Sequence, residues 1–290
     1  MPEGPEIRRA ADELDRALRG QRALAVEFHT PALRRHGPRL TGQRIESVTP
    51  RSKAMLIRFA GGATLYSHNQ LYGRWCVLRA GHTPPVGLAL RVLIRTRAHT
   101  ALLFSATDIA LLDDAGVAAH PYLNRLGVDL LDPGTTRALV RVQAQAGAFQ
   151  RRSLASLLLD QGFYAGLGNY LRSEILYVAR LRAGDRLGAL DERTRERLAD
   201  TALDLTRQAY RTRGVTNDLA RVTRLKRAGV AFADYRHHVF DRAGSPCWDC
   251  GTLIVRTDVG GRGIYSCPSC QPEASAVRAA ARRAHRPRRY

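Results

Sequence analysis

The residues best suited to chemistry stand at the start of the chain, where Pro2 and Glu3 follow Met1. A small second residue usually permits removal of the initiator methionine, and Pro2 would then carry a free secondary amine. An α-amino group has a reference pKa of about 8, roughly two units below lysine, so much more of it is unprotonated at neutral pH. Its attack on a sugar C1′ would give an iminium ion, an electron sink that promotes elimination. Glu3 could act as general acid or base if its carboxyl is desolvated.

The same residues also fit an ordinary helix start. Proline suits a first helical turn because its missing N–H would have no partner there, and Glu3 and Glu6 favour the positive end of the helix dipole. Apolar residues at helical spacing from Ile7 to Leu18, followed by Gly20, predict an amphipathic first helix. This stretch by itself leaves both interpretations open.

Four cysteines near the other end form a metal-binding pattern. Cys247 and Cys250 make one Cys-x-x-Cys pair, Cys267 and Cys270 make a second, and sixteen residues separate the pairs. Such spacing is typical of one structural zinc ion held by four thiolates, with no open position for catalysis. A disulfide pair or a redox motif fits poorly, because the chain has no secretion signal. The residues between the pairs predict a hairpin with Arg262 projecting from its tip.

The charge of the chain indicates an anionic partner. Its 290 residues carry 46 basic and 26 acidic side chains, a net charge of +20. Nucleic acid is the first candidate for the partner and a membrane surface is the rival. We find no apolar run of membrane-spanning length, no signal peptide and no lipidation motif, so we expect a cytosolic or nucleoid location. Lys53 and Lys226 are the only lysines, and lysine, unlike arginine, can lose its proton in a site.

The pattern of apolar residues changes along the chain. Short apolar runs separated by turn signals predict seven strands between residues 21 and 112, in a sandwich or barrel. Residues 120–134 resemble a linker, and four segments between Thr135 and Arg211, including 152–161, have helical periodicity. We predict that the polar, basic stretch 214–234 is a mobile loop.

Glycines precede one of these helices. The segment from Gly162 to Gly168 leads to Asn169, which stands where an N-cap belongs. A helix start reached through a glycine turn exposes backbone N–H groups, so this is a possible phosphate site or an ordinary capped turn.

Taken together, these pieces resemble the formamidopyrimidine-DNA glycosylase and endonuclease VIII family, with the closer resemblance to bacterial endonuclease VIII. The resemblance spans residues 2–271 and rests on PEGPEIRRAAD at the start, YSHNQLYG at 66–73, HPYLNRLG at 120–127, LLLDQGFYAGLGNYLRSEIL at 157–176, and the cysteine hairpin. It implies a multidomain α+β fold: an N-terminal β-sandwich domain with a flanking helix (1–131), a helical helix-two-turn-helix domain (132–235) and a four-cysteine zinc finger with a β-hairpin (236–271). We expect residues 272–290, rich in arginine, to form a disordered basic tail.

The resemblance also implies roles for individual residues. Pro2 would attack C1′ of a damaged nucleotide flipped out of the duplex, and Glu3 would assist opening of the sugar ring. Lys53 matches the family's β-elimination lysine, and Arg262 matches the hairpin arginine associated with δ-elimination.

Further residues match positions that contact DNA. They are Gln70, Arg125 and Asn169, and the triplet Gln70, Leu71 and Tyr72 resembles the wedge that fills the space left by the flipped base. Alternatively, the triplet is only the end of a strand with Leu71 and Tyr72 in the core, and Arg125 is a linker charge.

Three hypotheses of function follow. The first is a bifunctional glycosylase and abasic-site lyase that removes oxidised pyrimidines from duplex DNA, working as a monomer with one structural zinc ion. The second keeps the mechanism but acts on oxidised purines such as 8-oxoguanine; Gly4 and the contiguous wedge triplet favour pyrimidines. The third is a zinc-containing DNA-binding protein without catalysis.

Overall fold

The computed structural model describes residues 2–82 and 87–272, and it divides into two compact units between Leu131 and Asp132. The predicted basic tail therefore lies outside the described residues, apart from Pro272. In the described part of the chain, no helix has both the length and the apolar character needed to cross a membrane.

The first unit consists of one long helix, eight strands in two four-stranded sheets, one further two-residue strand and short helical segments. Its helices and strands, in chain order, are α1 Gly4–Leu18, β1 Ala25–Phe28, α2 Gly37–Leu40, β2 Ile45–Arg51, β3 Ala54–Phe59, β4 Thr64–His68, β5 Arg74–Arg79, β6 Leu90–Arg95, β7 His99–Phe104, β8 Asp108–Leu112, α3 Asp114–Ala119, α4 Pro121–Asn124 and the two-residue strand β9 Val128–Asp129. A 3₁₀ turn at Arg34–His36 precedes α2.

Two four-stranded antiparallel sheets form the predicted β-sandwich. One has the strand order β1-β6-β7-β5 and the other β2-β3-β4-β8. Alternating residues of both sheets meet in a single apolar core, to which α1 adds Ile7, Leu14 and Leu18. The Asp15 carboxylate accepts a hydrogen bond of 2.8 Å from Val48 N, which fixes α1 against β2. The sandwich and its flanking helix are thus confirmed, with β8 as a strand that the sequence analysis missed.

The second unit is helical, followed by a small β-hairpin. Its elements are α5 Arg137–Gln145, α6 Leu154–Leu157, β10 Tyr164–Ala165, α7 Asn169–Val178, α8 Glu192–Arg211, α9 Leu219–Arg227, α10 Phe232–Tyr235, β11 Val255–Val259 and β12 Arg262–Ser266. Two 3₁₀ turns lie at Gly147–Phe149 and Leu187–Ala189. Helix α8 packs against both α5 and α7, and α7 buries side chains on almost every face because the other elements surround it.

Two predictions for this unit were wrong. The stretch 214–234 is not a loop, because it contains α9 and α10. Asp218 caps α9 by accepting a hydrogen bond from Arg221 N at 2.7 Å, and Gly229 ends it with a φ of +74°. The predicted helix 152–161 shrinks to α6, because Asp160 instead accepts a hydrogen bond from Gly162 N at 2.8 Å and forms a turn.

Candidate active site and zinc centre

The N-terminal pair lies at the start of α1. Glu3 is the N-cap residue with an extended backbone, and its N–H donates to the Glu6 carboxylate at 3.0 Å. Only 3% of Glu3 is exposed, so the condition for an acid or base role, a desolvated carboxyl, is met. Pro2 is half-buried beside it. The two interpretations of this stretch are therefore compatible: a well-formed helix start holds a buried carboxylate next to Pro2.

Lys53 lies in the tight turn between β2 and β3. Arg51 pairs with Ala54 across the two strands, so Ser52 and Lys53 are the whole connection. The side chain of Lys53 is half-buried and that of Ser52 is buried. Because this turn is so short, the direction of Lys53 depends directly on the backbone of Ser52.

The predicted wedge triplet forms a compact loop between β4 and β5. Gly73 N donates to Asn69 O at 2.7 Å, which closes the loop; a Cβ on Gly73 would lie 2.5 Å from that oxygen, so only glycine fits. Gln70 has a φ of +49°, and its side-chain oxygen accepts a hydrogen bond from Thr107 Oγ1 at 2.6 Å.

The exposure of the loop decides one of the open alternatives. Leu71 is 54% exposed and Tyr72 is 76% exposed. The alternative that places these two side chains in the core is therefore wrong. Two adjacent apolar side chains presented to solvent have the shape and chemistry to insert between stacked bases.

Arg125 follows α4 and belongs to the same neighbourhood as Lys53. Its guanidinium lies over the Tyr122 ring, 5.5 Å from the centroid, and the Tyr122 hydroxyl accepts a hydrogen bond from Lys53 N at 3.3 Å. The His68 ring stands edge-on to the Tyr122 ring, with 5.1 Å between their centroids, and His68 directly precedes the wedge loop in the chain. Lys53, Arg125 and the loop of Gln70 thus lie around one tyrosine.

Asn169 differs from its predicted place by one residue. Gly168 is the N-cap of α7 and Asn169 is the first helical residue, so the Asn169 side chain does not cap the helix. Its amide instead donates to Gly263 O at 2.9 Å, in the zinc-finger hairpin. Arg172, which the sequence analysis did not single out, donates to Asn169 Oδ1 at 2.5 Å and to Ala155 O at 3.1 Å although it is only 1% exposed.

The hairpin presents Arg262 at the start of β12. Gly260 and Gly261 form its two-residue turn with φ values of +60° and +74°, the signs that a type I′ turn needs at both positions. Arg262 is exposed. Gly263, the residue after Arg262, accepts the hydrogen bond from the Asn169 side chain described above. The N-terminus of α7 and Arg262 are therefore close to each other in the second unit.

The four cysteines converge as their spacing predicts. All four Sγ atoms lie within 4.8 Å of one another, and three Sγ–Sγ distances are 3.4, 3.6 and 3.8 Å. Zn–S bonds of about 2.3 Å in a tetrahedron require sulfurs about 3.8 Å apart, so the cluster fits one zinc ion. The Tyr177 hydroxyl lies 3.1 Å from Cys247 Sγ, as an outer hydrogen-bond partner to a zinc-bound thiolate would. The zinc site is thereby confirmed as a structural one with four protein ligands.

A buried carboxylate that the sequence analysis missed supports this module. Glu174 in α7 is fully buried and accepts hydrogen bonds from the backbone N–H groups of His238, Val239 and Phe240 at 2.7, 2.8 and 2.8 Å. It also accepts one from Thr216 Oγ1 at 2.5 Å. Burial acts to raise the pKa of Glu174, but the hydrogen bonds that the carboxylate accepts outweigh burial and lower the pKa. No local motif marks such a residue, because its partners are about 40 and 65 positions away in the chain.

His237 extends this network. Arg236 Nε donates to His237 Nε2 at 2.8 Å, so the Nδ1 atom carries the proton and faces Thr216 Oγ1 at 3.0 Å. Burial lowers the pKa of His237 to about 4. The ring is therefore neutral at physiological pH, and Thr216 connects it to the Glu174 carboxylate.

Comparisons with known proteins agree with these features. Residues 1–109 match the model of the formamidopyrimidine-DNA glycosylase N-terminal domain. Proteins named endonuclease 8 from Klebsiella pneumoniae and Escherichia coli are each 44% identical over 271 residues, which is 93% of this chain and 100% of theirs. The chain belongs to the formamidopyrimidine-DNA glycosylase and endonuclease VIII family.

Solved structures of the family share the fold. A Lactococcus lactis formamidopyrimidine-DNA glycosylase, crystallised with N7-benzyl-Fapy-dG containing DNA, has a TM-score of 0.77 at 21% identity, covering 94% of this chain and 100% of that one. The same enzyme with oxidised pyrimidine containing DNA gives a TM-score of 0.76 at 21% identity over the same shares. At 21% sequence identity, the structural similarity is evidence for a shared fold alone.

Proposed function

We propose that this protein is a base-excision-repair DNA glycosylase with abasic-site lyase activity, which removes oxidised pyrimidines from duplex DNA. The observation that carries the proposal is the 44% identity to proteins named endonuclease 8 along their full length, in a chain whose second and third residues are Pro2 and a buried Glu3. A DNA-binding protein without catalysis would explain the charge and the zinc finger. It would not explain a buried carboxylate beside the N-terminal proline.

The first chemical steps use Pro2 and Glu3. After removal of Met1, the Pro2 nitrogen attacks C1′ of the flipped nucleotide, the bond from C1′ to the base breaks, and the base leaves with a proton. Glu3 donates a proton to the ring oxygen as the sugar opens, which leaves an iminium ion between C1′ and Pro2. The low exposure of Glu3 keeps water from competing for that proton transfer.

Elimination follows from the iminium ion. Loss of a proton from C2′ breaks the bond from C3′ to its phosphate oxygen, and a second elimination breaks the bond at C5′. Lys53 lies in a rigid turn, so its ammonium can be held against a phosphate beside the lesion or assist the proton transfer. Arg262 supplies a positive charge for the second departing phosphate. The iminium intermediate is finally hydrolysed to free Pro2.

The remaining residues bind the duplex. Leu71 and Tyr72, both exposed, insert into the space that the flipped nucleobase has left. Gln70 begins the same loop, where its side chain accepts a hydrogen bond from Thr107. Arg125 and Asn169 contact the DNA backbone, and the net charge of +20 strengthens binding through release of counterions. The family's DNA-bound structures support DNA as the partner. We expect a monomer that works in the bacterial cytosol.

Borohydride trapping tests the proposal. The purified protein is incubated with duplexes that carry thymine glycol, 8-oxoguanine or an abasic site, and the mixture is reduced and mapped by mass spectrometry. We expect an adduct at Pro2 and more of it with thymine glycol than with 8-oxoguanine. Greater trapping with 8-oxoguanine would support the oxidised-purine alternative instead.

The two lysines provide a matched control. Lys53→Arg and Lys226→Arg make the same change, and Lys226 lies in the second unit with its Nζ 5.6 Å from the Tyr235 ring centroid. We expect Lys53→Arg to slow strand cleavage and Lys226→Arg to leave it unchanged.

The trapping experiment can also refute the whole proposal. If zinc-loaded protein that lacks Met1 forms no adduct with any duplex, the enzymatic proposal is wrong and the binding-only alternative gains.

A further inference from the structure

The turn that carries Lys53 has an unusual backbone. Ser52, its first central residue, has a φ of +60°, whereas Lys53 has no positive φ. A positive φ at the first central position alone is the mark of a type II′ turn, which normally has glycine there. A serine in this conformation costs about 1–3 kcal/mol, so surrounding contacts must hold it.

Two side chains from the end of the first unit hold Ser52. Asp129 Oδ2 accepts a hydrogen bond from Ser52 N at 2.8 Å. The Tyr122 hydroxyl donates to Ser52 Oγ at 3.1 Å and accepts from Lys53 N at 3.3 Å. Both central residues of the turn are therefore bound to the same tyrosine oxygen.

The Tyr122 hydroxyl must be protonated to donate to Ser52 Oγ. Burial is the main cause that raises the pKa of Tyr122 above its ordinary value. The phenol is therefore neutral at physiological pH, and it can donate one hydrogen bond while accepting another.

The ring of Tyr122 makes two further contacts. The His68 ring stands edge-on at 5.1 Å between centroids, and the Arg125 guanidinium lies 5.5 Å from the centroid. His68 Nδ1 in turn accepts a hydrogen bond from Gln70 N at 3.2 Å, at the start of the wedge loop. Burial lowers the pKa of His68, which keeps Nδ1 available as an acceptor.

We propose that Tyr122 is a positioning residue that sets the direction of Lys53 by holding the strained Ser52 turn, and that it ties this turn to Arg125 and the wedge loop. Asp129 assists by fixing the Ser52 N–H. The inference rests on the proposed function, because it concerns the elimination step assigned to Lys53. Tyr122 itself need not touch DNA.

Tyr122→Phe tests the inference by removing one oxygen atom. The assay is single-turnover cleavage of an abasic-site duplex, in which base excision plays no part. Small displacements of a catalytic group can cost up to about 100-fold in rate, and we expect Tyr122→Phe to slow cleavage by about 10-fold. Tyr66→Phe is the matched control: it removes a tyrosine hydroxyl from the same unit, one that donates to Asp108 Oδ2 at 3.3 Å.

A double mutant separates positioning from a general loss of stability. If Tyr122 acts through Lys53, Tyr122→Phe should slow the wild type but add little to the defect of Lys53→Ala. Full additivity of the two defects, a wild-type rate for Tyr122→Phe, or an equal defect in Tyr66→Phe would each overturn the inference.

Substitutions of Ser52 keep the test decisive if Tyr122→Phe does not fold. Ser52→Ala removes the hydroxyl and keeps the backbone strain, whereas Ser52→Gly removes both, since glycine adopts positive φ freely. We expect Ser52→Gly to cleave faster than Ser52→Ala, and equal rates would refute a role for the strained turn.

Borohydride trapping of the wild type distinguishes failure of this inference from failure of the proposed function. If Pro2 forms an adduct but the Tyr122 and Ser52 variants cleave at the wild-type rate, only this inference is contradicted. If no adduct forms at all, the proposed function is contradicted.

Discussion

The buried Glu174 carboxylate supports a quantitative prediction for Glu174→Gln. In the wild type it accepts hydrogen bonds from three backbone N–H groups and from Thr216. The glutamine oxygen can keep two of the backbone bonds, but as a neutral acceptor it loses about 1 kcal/mol in each. Its NH₂ group would face the third N–H, that of His238, and leave a buried donor without a partner at a cost of about 2 kcal/mol.

The sum is about 4 kcal/mol, and relief of charge burial offsets part of it. We therefore expect a net loss of about 2–4 kcal/mol in the local stability of segment 238–240. Hydrogen exchange of zinc-bound protein measures this directly, because opening of the segment exposes the amides that Glu174 binds. Their exchange should be about 30- to 700-fold faster in the variant, at about 1.4 kcal/mol per tenfold change.

Glu196→Gln is the control for this substitution. Glu196 lies in the same unit, is 37% exposed and pairs with Arg141 at 3.2 Å. An exposed pair of this kind contributes between about 0 and 1 kcal/mol, so exchange at segment 238–240 should remain as in the wild type. If Glu174→Gln changed that exchange by less than threefold, the carboxylate would not hold the segment and our account of it would be wrong.

Three further predictions follow from the site. Cys250→Ser should release zinc, measured by elemental analysis of the purified protein, whereas Cys76→Ser should not, because Cys76 lies outside the four-sulfur cluster; equal zinc content in both variants would contradict the four-cysteine site. Leu71→Ala should slow excision of thymine glycol and yet lower the unfolding free energy by less than about 0.5 kcal/mol, since the side chain is 54% exposed; unchanged excision would remove Leu71 from the wedge. The lowered pKa of His237 predicts acid sensitivity. As the pH falls, the ring in the unfolded chain, with an ordinary pKa of 6.5, takes up a proton before the ring in the folded protein, with a pKa of about 4. The contribution of the neutral ring to the unfolding free energy is therefore fully present above pH 6.5 and is lost as the pH falls to 4, by up to about 3 kcal/mol. His237→Asn should flatten the dependence of the unfolding temperature on pH in that range, and an unchanged slope would assign the acid sensitivity to other groups.

Features that depend on nearby residues were predictable from the sequence. The periodicity of α1, the paired cysteines and the Gly260-Gly261 turn arise from backbone geometry and short spacing, so they are visible without a partner. Even α9 carried the usual signals, an aspartate before it and a glycine after it. The density of charge in that stretch led to the wrong prediction of a loop, although Val222 is only 5% exposed on its inner face.

The sequence by itself thus determined most of the secondary-structure pattern, the zinc ligands and the family to which the chain belongs; the roles of Pro2, Glu3, Lys53 and Arg262 remain predictions. Only the tertiary structure decided that Tyr122 holds the Lys53 turn, that Glu174 binds segment 238–240, and that Leu71 and Tyr72 face solvent. The reason is physical. Each of these facts depends on atoms that meet across long separations in the chain, or on which side of a loop faces the core, and neither has a local sequence signal.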